Sequence, residues 1–257
     1  MLWSEDLVAG VLGLALVVYL LAIPKFRLYI ARTSHKGQFE RALKMDEFFS
    51  RFPFYGASLR GLIVVLEGRY AYARAFLKPR AFDRHGKPLF LTPEFRWYMV
   101  ALINDGSPEM AQPLLEEAIR QCRPALEFRR LLVSCLLDQG TDPGRACELI
   151  EYVLKEQPEK LTDERYPAIA ASRLSLYARA LAACGRSSEA RAEIEEALKR
   201  LPTLHYWEIA RLQYSLGEAW DALGEFEEAR RAFQLSIDIL PTGAMAIASR
   251  KALARMM

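Results

Sequence analysis

The sequence predicts an all-α protein, a solenoid of helix pairs preceded by one N-terminal membrane-spanning helix and ended by a capping helix. Two observations predict it. The run Leu7 to Ile23 (LVAGVLGLALVVYLLAI) carries no charge, and from Gly37 onward a turn glycine, small residues, an apolar knob and a terminating proline recur at helix-pair spacing. Composition fits a packed chain: 257 residues with 52% hydrophobic and 26% charged side chains allow a sizeable core and exclude a disordered tail. The 14 Gly and 13 Pro are too few for a collagen-like chain, and four Cys are too few for a disulfide-stapled miniprotein.

Residues 1–24 form the first element. A helix rising about 1.5 Å per residue needs roughly 17–25 apolar residues to cross a hydrocarbon layer of ~30 Å. Leu7–Ile23 meets that length, and Val and Leu on all sides leave no polar face for a surface helix. A cleaved secretory signal would want a basic start and small residues at its end; here Glu5 and Asp6 precede the run and Ala22-Ile23-Pro24 stands at its end. Lys25, Arg27, Arg32, Lys36, Arg41 and Lys44 crowd its C-terminal side with no Lys or Arg before it, which orients the bulk of the chain toward the cytoplasm of an inner-membrane protein. Trp3 and Tyr29 fall near the two interfaces.

The basic flank extends further. Lys25 through Arg96 hold 15 Lys/Arg against 6 Asp/Glu, while Trp97 onward holds 20 against 24. Interspersed acids and the adjoining span favour a topology signal and attraction to anionic headgroups over nucleic-acid binding.

Residues 25–243 form the second element, a repeat domain. Gly37, Phe39 and Ala42, with Pro53 beyond, read as the turn and second helix of a first, half-preserved unit. Gly61, Gly68, Tyr70, Ala73 and Leu77 form the next. Lys78 to Pro93 (KPRAFDRHGKPLFLTP), with three Pro, reads as a loop between units. Gly106, Ala111, Leu115, Ala118 and Pro124 follow, then Gly140, Ala146, Ile150, Val153 and Pro158, then Gly185, Ala190, Ile194, Ala197 and Pro202. The clearest copy is the last: Leu216-Gly217, Trp220, Gly224, Phe226, Ala229, Phe233 and Pro241. Residues 244–257 form the third element, a helix whose Ala244, Ile247, Ala248, Ala252 and Met256 make an apolar stripe suited to capping a solenoid.

The stretch Arg211–Gly243 resembles the tetratricopeptide repeat (TPR), with Ser236 standing where the family usually has Ala and, one unit earlier, Ala178 where it favours Gly. The resemblance spans residues 36–243 at decreasing fidelity toward the N-terminus, about five repeats plus a half. Ala190 to Ala229 is 39 residues against about 34 in the family, and the surplus is expected to lengthen the first helix of the last repeat through His205–Ile209.

The resemblance implies a concave groove, lined mainly by the first helix of each repeat, that binds peptides or other proteins. Matching positions put Tyr55 and Ser58, Arg96, Phe128 and Leu131, Ser175 and Arg179, and Arg211, Tyr214 and Glu218 on that face. Of these, Arg179, Arg211, Tyr214, Glu218, Arg96 and Phe128 are the candidate partner-binding set. The family's clamp for C-terminal carboxylates uses Lys with two groove asparagines; Asn104 is the only Asn in the chain, so a chaperone-tail adaptor is excluded.

Catalysis finds little in the sequence. His35, His85 and His205 stand far apart with no paired metal-ligand spacing, and Cys122, Cys135, Cys147 and Cys184 show neither zinc-ligand separation nor a disulfide framework. Arg84 to Pro88 lacks the two-glycine spacing of a phosphate loop. Acid pairs such as Glu116/Glu117, Glu195/Glu196 and Glu227/Glu228 point about 100° apart on a helix and read as solvated surface; Phe95, Trp97 and Tyr98 read as packing. No cofactor, metal, nucleic acid or small-molecule substrate is expected. The sequence points to a membrane-anchored scaffold or assembly factor for a membrane complex, bound to the bilayer through residues 7–23, with a permanent accessory subunit packing through Gly10 and Gly13 as the alternative.

Overall fold

The computed structural model describes residues 25, 27–34, 36–51, 59–158 and 167–257. The expected membrane span at Leu7–Ile23 lies outside them. Among the described residues no helix is long and apolar enough to cross a membrane, and the one β feature is an isolated bridge between Phe82 and Pro88. The chain divides into two units, Met1–Ile63 and Val64–Met257.

In the first unit, helical residues 27–34 lead through a turn at Gly37 into α1 (Phe39–Phe49). Phe39 and Ala42 are buried as their spacing predicts. Asp46 is buried too, and its carboxylate accepts a hydrogen bond from the Leu59 N–H at 2.8 Å, pinning the chain that follows. Tyr55 and Ser58 lie outside the described residues.

The division falls inside α2 (Arg60–Glu67). The second unit continues with α3 (Tyr70–Ala81), α4 (Pro93–Asn104), α5 (Pro108–Gln121), α6 (Leu126–Gln139), α7 (Pro143–Glu156), α8 (Pro167–Ala183), α9 (Ser187–Leu198), α10 (Tyr206–Ala222), α11 (Phe226–Ile239) and α12 (Ala244–Arg255). Helix starts are locally encoded. Thr92 and Asp142 accept from the N–H groups of Phe95 and Arg145, each with Pro at the next position, where its missing N–H costs nothing.

Gly68, Gly106, Gly140, Gly185 and Gly224 all sit at positive φ between paired helices. At Gly140 the left-handed residue (φ 64°, ψ 22°) turns the chain off α6, a conformation that costs an ordinary L-residue about 1 kcal/mol or more. These glycines are thus the punctuation of the repeats. Between repeats, ion pairs tie each second helix or its leading turn to the next: Glu116 to Arg145, Glu151 to Arg186, and Arg191 to Glu225.

One sixteen-residue register recurs across the paired helices. The knob Phe233 packs on Gly217, sixteen positions earlier, and the same spacing relates the knobs Ile194, Ile150 and Leu115 to Ala178, Ser134 and Met99. All four knobs are fully buried. A Cβ on Gly217 would stand 2.6 Å from Phe233 ring carbons, so only glycine fits there. Ser236 replaces the family's Ala because its hydroxyl, fully buried, donates to the Ala210 carbonyl at 2.8 Å and so joins α11 to α10.

Three local expectations are corrected. Lys78–Ala81 belong to α3 rather than to a loop: Pro79 gives up one i→i−4 hydrogen bond in the last turn, and burial of Leu77 and Ala81 holds the helix there. The surplus residues before the last repeat do not lengthen α10 alone. That helix and α8 are both 17 residues long, and part of the insertion is a short 3-10 turn, Leu201–Thr203, after which Glu208 caps the His205 N–H. Finally, α12 buries Ala246 and Ser249 as well as Ala244 and Ala252, while Ala248 is half-buried. One side closes the core of Ala229 and Phe233. Another reaches back to the first turn of the unit, where Ile247 Cδ1 comes within 2.7 Å of the place a Gly68 Cβ would occupy.

Candidate protein-binding groove

The first helices α6, α8 and α10 line two cavities, one toward each helix end. Toward the N-terminal ends, Glu127 and Arg130 of α6, Ser172 and Ser175 of α8, and Trp207 and Arg211 of α10 surround about 410 Å³. Toward the C-terminal ends, Asp138, Arg179, Tyr214 and Glu218 line about 1100 Å³, closed on the far side by Tyr70 and by Ile247 and Lys251 of α12. The predicted set is therefore split: Arg179, Tyr214 and Glu218 share the larger cavity, while Arg211 and Ser175 line the smaller.

In the larger cavity the charges of Arg179, Asp138 and Glu218 are already matched. Arg179 donates to Asp138 Oδ1 at 2.8 Å and lies 3.1 Å from Glu218 Oε2, and Arg255 approaches the other Glu218 oxygen at 3.5 Å. Burial works against the Arg179 charge, but Glu218 and Asp138 outweigh it and hold its pKa above the usual value. Tyr214 lies against Phe233, ring centroids 5.8 Å apart. Burial, reinforced by the negative charge of Glu218, raises its phenol pKa, so it stays a neutral donor. This network holds α6, α8, α10 and α12 together as much as it presents groups to a ligand.

The smaller cavity is unbalanced in the positive direction. Arg130 is held by Glu127 at 2.7 Å. For Glu127 itself, desolvation opposes ionisation, yet Arg130, Arg96 and Arg211 together hold its carboxyl below the usual range. Arg211 donates to the Ser172 hydroxyl and has no carboxylate within salt-bridge distance among the described residues. Burial and the neighbouring Arg130 push its guanidinium down to about 10, with Glu127 and Glu208 only partly offsetting them. At neutral pH it remains charged, and an added anion would relieve it.

Two predicted residues take other roles. Phe128 is 8% exposed, packs edge-on against Phe95 at 6.0 Å, and belongs to the core rather than to the groove surface; Leu131 is likewise buried. Both sit on the side of α6 that meets α4, which the family register alone does not reveal. Arg96 is half-buried beside Trp97, its guanidinium 5.9 Å from the ring, and reaches the smaller cavity only through its field on Glu127. Sequence reasoning missed Arg130, Asp138 and Tyr70; the first two follow Glu127 and Leu131 at helical spacing and were legible as same-face neighbours. Among the described residues no group of three or more His, Cys, Asp or Glu is placed to hold a metal ion.

Glycine-punctuated helix pairs, stacked so that their first helices line a common face, define a helical-repeat protein. Residues 176–244 match the tetratricopeptide repeat family model, a segment that includes Arg179, Arg211, Tyr214 and Glu218 and runs from α8 to the start of α12. Comparison with curated proteins and with solved structures returned no match. The repeat supports a protein–protein interaction role, and nothing among the described residues positively indicates an enzyme.

Proposed function

We propose that this chain is a membrane-anchored scaffold or assembly factor that binds a partner protein through the concave face of α6, α8 and α10, anchored by Leu7–Ile23 with the repeats on the cytoplasmic side. One observation carries the binding reading: a 410 Å³ cavity on that face holds Arg211, a guanidinium with no carboxylate in salt-bridge reach among the described residues, beside the amphipathic wall of Trp207. Arg and Trp are the residue types that most often anchor interfaces. The group that fits there is a carboxylate side chain or chain end of an acidic segment, paired to the planar Arg fork. The charge-free run and its basic flank support the anchor and its orientation.

Photo-crosslinking in the intact membrane tests this. A crosslinking side chain at Ser215 should capture one defined partner, the same probe at the exposed back position Glu195 should not, and Arg211→Glu should abolish capture while leaving the melting temperature unchanged. Equal capture from both positions would reject the groove. A cytoplasm-only reporter fused after Met257 should be active; export-side activity would reverse the orientation.

A further inference from the structure

Cys147 lies on α7 and Cys184 directly follows α8. They are 37 residues apart in sequence, yet their Sγ atoms stand 3.2 Å apart. That is about 1.2 Å longer than a covalent S–S bond of ~2.0 Å, a gap that small side-chain rotations close. The other two thiols are placed differently: Cys135 donates to the Pro108 carbonyl at 3.0 Å and accepts from Gln139, and Cys122 lies at the end of α5. We propose that Cys147 and Cys184 are a reversible thiol–disulfide site that staples α7 to the turn between α8 and α9.

The two sulfurs are unequal, which sets the order of events. Cys184 is half-exposed and Cys147 is buried. Burial and the neighbouring Cys184 thiol push the Cys147 thiol up to about 12, against the pull of the nearby Arg186 guanidinium. Cys184 therefore reacts first. Its thiolate attacks one sulfur of a low-molecular-weight disulfide such as glutathione disulfide, forming a mixed disulfide and expelling one glutathione thiolate. Cys147 then gives up its proton and attacks Cys184 Sγ, expelling the second. Both protein sulfurs are oxidised, both glutathione sulfurs are reduced, and the two protons end on the two released thiols.

The bridge joins consecutive repeats at a place that matters for the groove. Arg186 there already binds Glu151 of α7, whose carboxylate also accepts from Tyr177 of α8. Ala183, the residue before Cys184, lines the larger cavity. Oxidation thus fixes the seat of α8 beside that cavity, and reduction leaves it to helix packing, the ion pair and the hydrogen bond.

The test needs no substitution. The purified full chain is equilibrated, folded, with oxidised glutathione, quenched in acid, denatured and labelled with a maleimide. The expected mass spectrum shows two labels per chain in place of the four of the reduced protein, a peptide linking Cys147 to Cys184, and a melting temperature raised by roughly 5–10 °C. Reduction should reverse all three. Four labels, a glutathione adduct that stays on Cys184, or a bridge through Cys122 or Cys135 would each overturn the proposal. Cys147→Ser, which keeps Cys184 reactive, should instead stop at the stable glutathione adduct, with two labels on Cys122 and Cys135; three labels or one label on that variant would also overturn it.

Discussion

The helix pairs α8/α9 and α10/α11 solve one packing problem with different residues. In the last pair, glycine at 217 lets the helices close until the Phe233 ring fills the site that a Cβ would need. In the pair before it, the corresponding residues are Ala178 and Ile194, both fully buried, in one continuous core with Ala197, Leu212 and Leu216. A methyl is added on one helix and an aromatic ring is reduced to a branched aliphatic on the other. What the pairs keep is the volume filled at the crossing, because interiors pack near crystal density and tolerate exchange better than net gain or loss. The departure of Ala178 from the family pattern is therefore matched by its partner.

The comparison can be broken most forcefully at Phe233. Phe233→Ala leaves Gly217 facing an empty site and should cost about 3–5 kcal/mol, read as a lowered denaturation midpoint of the purified chain. Next, Gly217→Ala should overpack the same crossing and cost about 1–3 kcal/mol. Adding Phe233→Ile converts the pair to the Ala/Ile combination found sixteen residues apart at 178 and 194. The double variant should then be more stable than Gly217→Ala alone, and strictly additive losses would show that volume is not what the pairs share. Smaller still, Ser236→Ala removes one buried hydroxyl bond and should cost about 1 kcal/mol, a loss with no counterpart at Ala197 of the preceding pair.

Charge offers the contrasting case, in the middle of the unit. Glu116 on α5 accepts from Gln112 at 3.2 Å and from Arg145 of α7 at 2.9 Å. Partial burial resists its ionisation, but those bonds and the Arg145 charge win, and its pKa lies below the usual carboxylate value. A depressed folded pKa adds stability that is present above the unfolded value of about 4 and is lost as pH falls through the folded one. The stability gap between the wild type and Glu116→Gln should accordingly close on acidification below pH 4, whereas the gap for Gly217→Ala should persist.

Much of the solenoid was readable because its signals are local. Turn glycines, Pro at helix starts, and buried alanines one helical turn from a knob act over a few residues, and the sixteen-residue register spans only one helix pair. Phe128 and Leu131 were misassigned for the opposite reason: their side of α6 meets α4, from the preceding repeat, and apolar residues on a first helix look alike whether they face a groove or a neighbour. Arg179 and Glu218 were expected on the groove face, but the sequence did not reveal them as each other's partners with Asp138.

By itself the sequence determined most helices of the second unit, their pairing in order, Gly217 and Phe233 of the last pair and the positive charge of Arg211. Only the tertiary structure decided that α12 returns to Gly68 and closes the larger cavity, that the first helices divide their face into a matched and an unmatched half, and that Cys147 and Cys184 meet. The physical reason is the range of the interaction. Helix formation and pairing are fixed by neighbours within one repeat, whereas closure and cavity shape depend on the small rotation between successive repeats, which adds up along the stack and leaves no signature at any single residue.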